Sequence, residues 1–80
     1  MTAEVTQPLD LRGLDPPEPM RRALEAIEQL DPSGTLEIVT DREPFLLHRE
    51  LGRRHYGYVK EIRRDGCHTI VSRGFEQDRP

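Results

Sequence analysis

The stretch Leu9-Asp10-Leu11-Arg12-Gly13-Leu14-Asp15-Pro16-Pro17-Glu18-Pro19-Met20 constrains the fold of this chain more than any other. Leu9 and Leu11 alternate with Asp10 and Arg12, the period-two pattern of a half-buried strand. Gly13 marks a tight turn, because glycine tolerates backbone angles that other residues avoid. Pro16 and Pro17 fit the first turn of a helix, where a missing N–H is no loss. Asp15 is placed to cap that helix, with Glu18 three residues on as the reciprocal partner. The chain therefore opens as strand, turn and capped helix.

The remaining elements follow from periodicity. The first strand covers Gln7 to Arg12. The helix from Pro17 to about Leu30 sets Met20, Ala23, Leu24, Ile27 and Leu30 along one face. Asp31-Pro32-Ser33-Gly34 stops it with turn residues. Thr35 to Thr40 alternates as a second strand. A second helix then starts with Thr40 or Asp41 as cap and Glu43 and Pro44 in its first turn. Its expected apolar side is Phe45, Leu46 or Leu47, and Leu51. Arg53 and Arg54 suit its negative end, and Glu50 precedes Arg54 at the favourable spacing for an ion pair. Tyr56 to Arg63 and Cys67 to Arg73 read as strands joined by the hairpin turn Arg64-Asp65-Gly66.

The order β-α-β-α-β-β predicts an α/β (α+β) two-layer sandwich: a four-stranded mixed sheet with two helices on one face. One domain is expected at 7–73, with loose tails at 1–6 and 74–80. A chain of 80 residues has a thin core, and its charged residues make up 34%. A net charge of −3 does not suit a generic nucleic-acid binder. One cysteine, Cys67, allows no internal disulfide. The absence of a signal peptide and of a long apolar run predicts a cytoplasmic protein with no membrane partner.

Leu9-Asp10, Gly13-Leu14 and Pro17-Glu18-Pro19 resemble the opening of the TusA/SirA-like proteins, whose signature is L-D-x-x-G-L-x-C-P-x-P. The resemblance implies the same fold over roughly Gln7 to Arg73. It also locates the sulfur-carrying cysteine of TusA at the position that is Pro16 here, so sulfur carriage does not transfer. The Pro-Pro-Glu-Pro at 16–19 and Asp41-Arg42-Glu43-Pro44-Phe45 are similar to an uncharacterised bacterial branch of that superfamily. Members of the branch often accompany redox or nitrogen-oxide genes, which implies a redox or sulfur-metabolism protein as partner.

The candidate site is the sheet end where both helices begin, since open α/β sheets bind ligands beyond the carboxyl ends of their strands. Free N–H groups there favour an anion. Arg12 and Arg42 lie on the strand-to-helix turns, with Pro16, Pro17, Glu18 and Glu43 beside them. Arg21 and Arg22 oppose the helix dipole, which hints at a local task. Asp15, Glu18, Asp41 and Glu43 already supply negative charge, so capping and surface ion pairs are the simpler explanation.

Cys67 is the candidate thiol for sulfur or redox chemistry, which needs a thiolate in a cationic setting. On a strand, Cys67 and His68 point to opposite faces and do not form a natural pair. His48 and His55 are candidate metal ligands, about 10 Å apart if both lie on one helix face. Their spacing is not that of a zinc site, so solvent-facing or helix-end histidines and no cofactor are expected. Tyr56, Tyr58 and Phe75 are candidates for the less covered sheet face, where aromatics can stack bases. The single lysine, Lys60, and the acidic balance argue against RNA and for an interface with a protein or a second copy of the chain.

The leading expectation is a non-catalytic binding or adaptor module contacting a partner protein or a small anion. The alternatives are a sulfur-carrier or redox protein using Cys67, and a metal or cofactor binder.

Overall fold

The computed structural model describes residues 8–72. Its elements are β1 (Leu9–Asp10), α1 (Glu18–Glu28), β2 (Thr35–Thr40), α2 (Phe45–Arg53), β3 (Gly57–Arg63) and β4 (Gly66–Ser72). This is the expected β-α-β-α-β-β order. Gln7, Arg73, Phe75 and the two tails lie outside the described residues.

The strands form one mixed sheet in the order β1-β2-β4-β3. β1 runs parallel to β2, and both pairings of β4 are antiparallel. Residues directly opposite in an antiparallel ladder share a face. The pairs Leu36–Val71, Ile38–Thr69 and Thr40–Cys67 therefore share one face, and Glu37–Ile70 and Val39–His68 share the other. The first face holds the core, in which Ile38 and Val71 meet Ala23 and Ile27 of α1 and Leu47 and Leu51 of α2. Both helices enter that one cluster and touch each other, so both cover the same face.

On α1 the predicted stripe holds: Ala23 and Ile27 are buried, and Leu24 and Leu30 pack against the core. The helix ends at Glu28 because the Gln29 and Leu30 N–H groups close onto the Ala26 and Ile27 carbonyls, a tighter turn. On α2 the buried residues are Leu47, His48 and Leu51. Phe45, expected inside, is 70% exposed, and Leu46 is 64% exposed. The reason is angular: Phe45 precedes Leu47 by two residues, about 200° around the helix. The Glu50–Arg54 ion pair forms at 2.9 Å, as expected.

Neither helix carries the side-chain cap that its sequence suggests. Pro17 and Pro44 occupy the capping positions, and a proline ring offers no acceptor. Asp15 instead accepts the Glu18 N–H through its backbone carbonyl at 2.9 Å. The Thr40 hydroxyl donates to the Arg42 carbonyl at 2.7 Å. Asp41 accepts the Gly13 N–H at 2.8 Å, and Gly13 itself has φ +81°, a backbone that favours glycine.

The hairpin turn lies where Arg64-Asp65-Gly66 predicts it, with Arg63 opposite Gly66. Gly66 has φ +142°, and a Cβ there would overlap the Thr40 carbonyl oxygen. The hairpin thus starts in contact with the end of β2, beside the beginnings of both helices.

Candidate functional site

Two adjoining cavities open at the sheet end where the helices begin. One, of about 390 Å³, is apolar, walled by Pro17 and Met20 of α1's start and by Phe45 and Leu46 of α2. The other, of about 500 Å³, is bounded by Leu11, Leu14 and the charged run Asp41-Arg42-Glu43. Pro16, Pro19, Thr40 and Pro44 line both, so the two form one groove with an apolar end and a charged end. Beyond Arg42 a third cleft of about 350 Å³ runs on to the hairpin turn, lined by Arg63, Arg64 and Asp65. Volumes of this size suit a side chain or a small ligand.

The charges along this groove are unevenly engaged. Glu43 pairs with Lys60, Asp41 accepts the Gly13 N–H, and Asp65 faces His68 and Arg12. Among the described residues Arg42 and Arg64 have no ion-pair partner. Glu18 accepts from Arg21 at 2.9 Å and from Arg22 at 3.1 Å, and these bonds hold its carboxyl below the usual range. That pairing explains two cations in the first turns of α1. It is a local ion cluster, without the side-chain capping expected beside it.

Arg12 is held away from the groove. It grips Asp10 through two nitrogens, each at 2.8 Å, and reaches the Asp65 carbonyl at 3.3 Å. The Arg12 bonds pull the Asp10 carboxyl down to about 2. Asp65 in turn meets His68 Nε2 at 2.9 Å, while His68 Nδ1 meets Glu37 at 2.7 Å. His68 is 5% exposed, with a carboxylate on each ring nitrogen. Glu37 first and Asp65 second raise its pKa, because both favour an imidazolium that donates twice. A chain of charges, Asp10–Arg12–Asp65–His68–Glu37, therefore lies on the sheet face away from the helices.

Cys67 and His48 lie on the opposite face. Cys67 lines the third cleft but is only 1% exposed, and its Sγ is 4.0 Å from the Thr69 hydroxyl. It points away from His68, as strand alternation predicts. His48, expected in solvent, is 6% exposed. Its Nε2 pairs with Thr69 Oγ1 at 2.8 Å, and its ring stacks on Tyr58 at 4.5 Å. Burial lowers its pKa. His55 is exposed and follows the helix with φ 65°, so the two histidines do not share a helix face. Among the described residues no three His, Cys, Asp or Glu side chains converge as metal ligands. Tyr58 is opposite Val71, on the helix side of the edge strand, and Tyr56 packs against the core. The open face therefore carries neither tyrosine.

Of the expected rim, Pro16, Pro17, Arg42 and Glu43 meet at the groove, whereas Arg12 and Glu18 are held in ion pairs beside it. The apolar members Phe45, Leu46 and Met20 were legible only in part. Three apolar residues in a row on a helix cannot all face inward, so one outward apolar side chain was implied. No helix among the described residues is long and apolar enough to cross a membrane.

A family model described as an uncharacterised conserved protein (DUF2249) matches residues 8–71. No curated protein and no solved structure matches the chain.

Proposed function

The chain belongs to the uncharacterised conserved DUF2249 family, and from that premise we propose that it is a non-catalytic binding module whose groove between the two helix starts contacts a partner protein. The observation that carries this reading is the pair Phe45 and Leu46, 70% and 64% exposed, beside a proline-walled apolar cavity. Large apolar side chains grouped at a concave site mark an interaction surface. The likeness of the opening stretch to TusA/SirA-like proteins, with Pro16 at their sulfur-carrying position, supports binding without chemistry.

The test is a photo-crosslinking amino acid placed at Phe45 in the full chain, in cells of the source organism. A discrete covalent adduct at this position, with none from Gln29 at the far end of α1, is the expected result. Equal adduct patterns from both positions would sink the proposal.

A further inference from the structure

We propose that Asp65 is a proton-controlled latch at the hairpin turn: charged His68 ties it to the open sheet face, and neutral His68 surrenders it to Arg12. The latch operates whatever the groove binds.

Its basis is a count of hydrogens. His68 is 5% exposed and meets a carboxylate at each ring nitrogen, Glu37 at 2.7 Å from Nδ1 and Asp65 at 2.9 Å from Nε2. An ionised carboxylate only accepts, so both bonds together require a hydrogen on both nitrogens, which the imidazolium alone supplies. The neutral ring serves one carboxylate. Its other nitrogen then turns a lone pair towards the second, and that contact parts.

The surroundings decide which carboxylate leaves. Glu37 is on β2, an inner strand, and among the described residues His68 is its only partner within ion-pair distance. Asp65 is in the turn, with its side chain 51% exposed, and a second cation already stands beside it. Arg12 Nη1 is 3.7 Å from the Asp65 carboxylate and 3.3 Å from the Asp65 carbonyl. Loss of the His68 proton therefore leaves Glu37 with the ring N–H and moves Asp65 to Arg12, which it then shares with Asp10. Two discrete partners for one carboxylate make a switch.

The groups facing His68 set where the exchange falls. Glu37 and Val39 face it from β2, Glu61 and Arg63 from β3, and Asp65 from the turn, with Arg12 and Asp10 behind Asp65. Both helices cover the other face. Glu37 and Asp65 raise the His68 pKa against burial and Arg63, so the exchange lies above the ordinary histidine value of about 6.5. Asp65 also lines the third cleft with Arg42 and Arg64. The arrangement of charge in that cleft therefore changes with pH.

The experiment is a carbon-detected NMR titration of the full chain over about pH 5 to 9, following the His68 ring, the Asp65 carboxyl and the Arg12 guanidinium. All three should move with one midpoint above about 6.5. Asp65→Asn should lower the His68 midpoint by about one pH unit and leave Arg12 indifferent to that titration. His68→Gln should hold the Asp65 and Arg12 signals at their alkaline positions throughout. Arg12 signals that stay flat while His68 titrates would overturn the inference, as would an Arg12 response that survives Asp65→Asn. Circular dichroism should show both variants folded, and the unsubstituted chain decides the question without them.

Discussion

His48 and His68 are almost equally buried, at 6% and 5% exposure, yet the fold treats them in opposite ways. His48 faces the helices, against the Thr69 hydroxyl and the Tyr58 ring, and is held towards its neutral form. His68 lies on the other face between Glu37 and Asp65 and is held towards its charged form. Position in sequence does not separate them, because Thr69 directly follows His68 on β4 and only the pleat divides the faces. Burial alone would push both towards neutrality. The carboxylates make the difference. One sheet thus carries an apolar side held by packing and an open side held by an ion network.

The strongest test of that contrast is a core truncation. Leu51→Ala on the helix side should cost about 2–5 kcal/mol by urea denaturation, a large share of the stability of a small domain. His68→Leu, which leaves Glu37 and Asp65 facing water, should cost clearly less. Equal losses would mean that the open face is packed as tightly as the core.

The pH profile sharpens the comparison next. His68 binds its proton more tightly folded than unfolded, so its contribution is complete below about pH 6.5 and disappears as pH rises through the elevated folded value. Glu37, Asp65 and the Glu61 opposite it favour the proton, while burial and Arg63 oppose it. For His48 the unfolded chain holds the proton more tightly. Its contribution is present above about pH 6.5 and is lost as pH falls through the depressed folded value. Stability measured from pH 5 to 9 should therefore decline on both sides of about 6.5. His68→Gln should remove the alkaline decline, and His48→Gln the acid one. A profile unchanged by either substitution would break the comparison.

A smaller effect is expected from His48→Gln at pH 7.5, about 1 kcal/mol for a neutral hydrogen bond to Thr69 that the amide keeps only in part. Smallest of all is Phe45→Ser, within about 0.5 kcal/mol in thermal unfolding, since that ring touches little but solvent and the groove. A large loss there would reassign Phe45 from binding to folding.

Much of this architecture was legible in the residues. The period of β2, the stripe of Ala23 and Ile27, the Arg64-Asp65-Gly66 turn and the Glu50–Arg54 pair are local features, decided within a few residues of chain. The mistaken expectations share the opposite character. The sequence offers Thr40 or Asp41 as the cap of α2, but the Asp41 carboxylate binds the N–H of Gly13, far away in sequence, and the Thr40 hydroxyl donates to the Arg42 carbonyl. The sequence alone puts His48 in solvent or at a helix end, because its partner Thr69 lies on a strand 21 residues away. The site shows the same division. Pro16, Pro17, Arg42 and Glu43 could be located from strand-to-helix order, whereas the second hold on Arg12, beyond its close pairing with neighbouring Asp10, comes from Asp65 in the distant hairpin.

Gly66 carries a consequence for how such a sequence can drift. Its φ of +142° and the Thr40 carbonyl against the space of a Cβ exclude any side chain without a shift of backbone. A glycine codon has no missense neighbour that avoids a Cβ, so this position sits at an isolated point in sequence space. Gly52, with open space around it, can drift to alanine and gain helix propensity. Diverged relatives that keep this hairpin should therefore vary freely at the second glycine and hardly at all at the first.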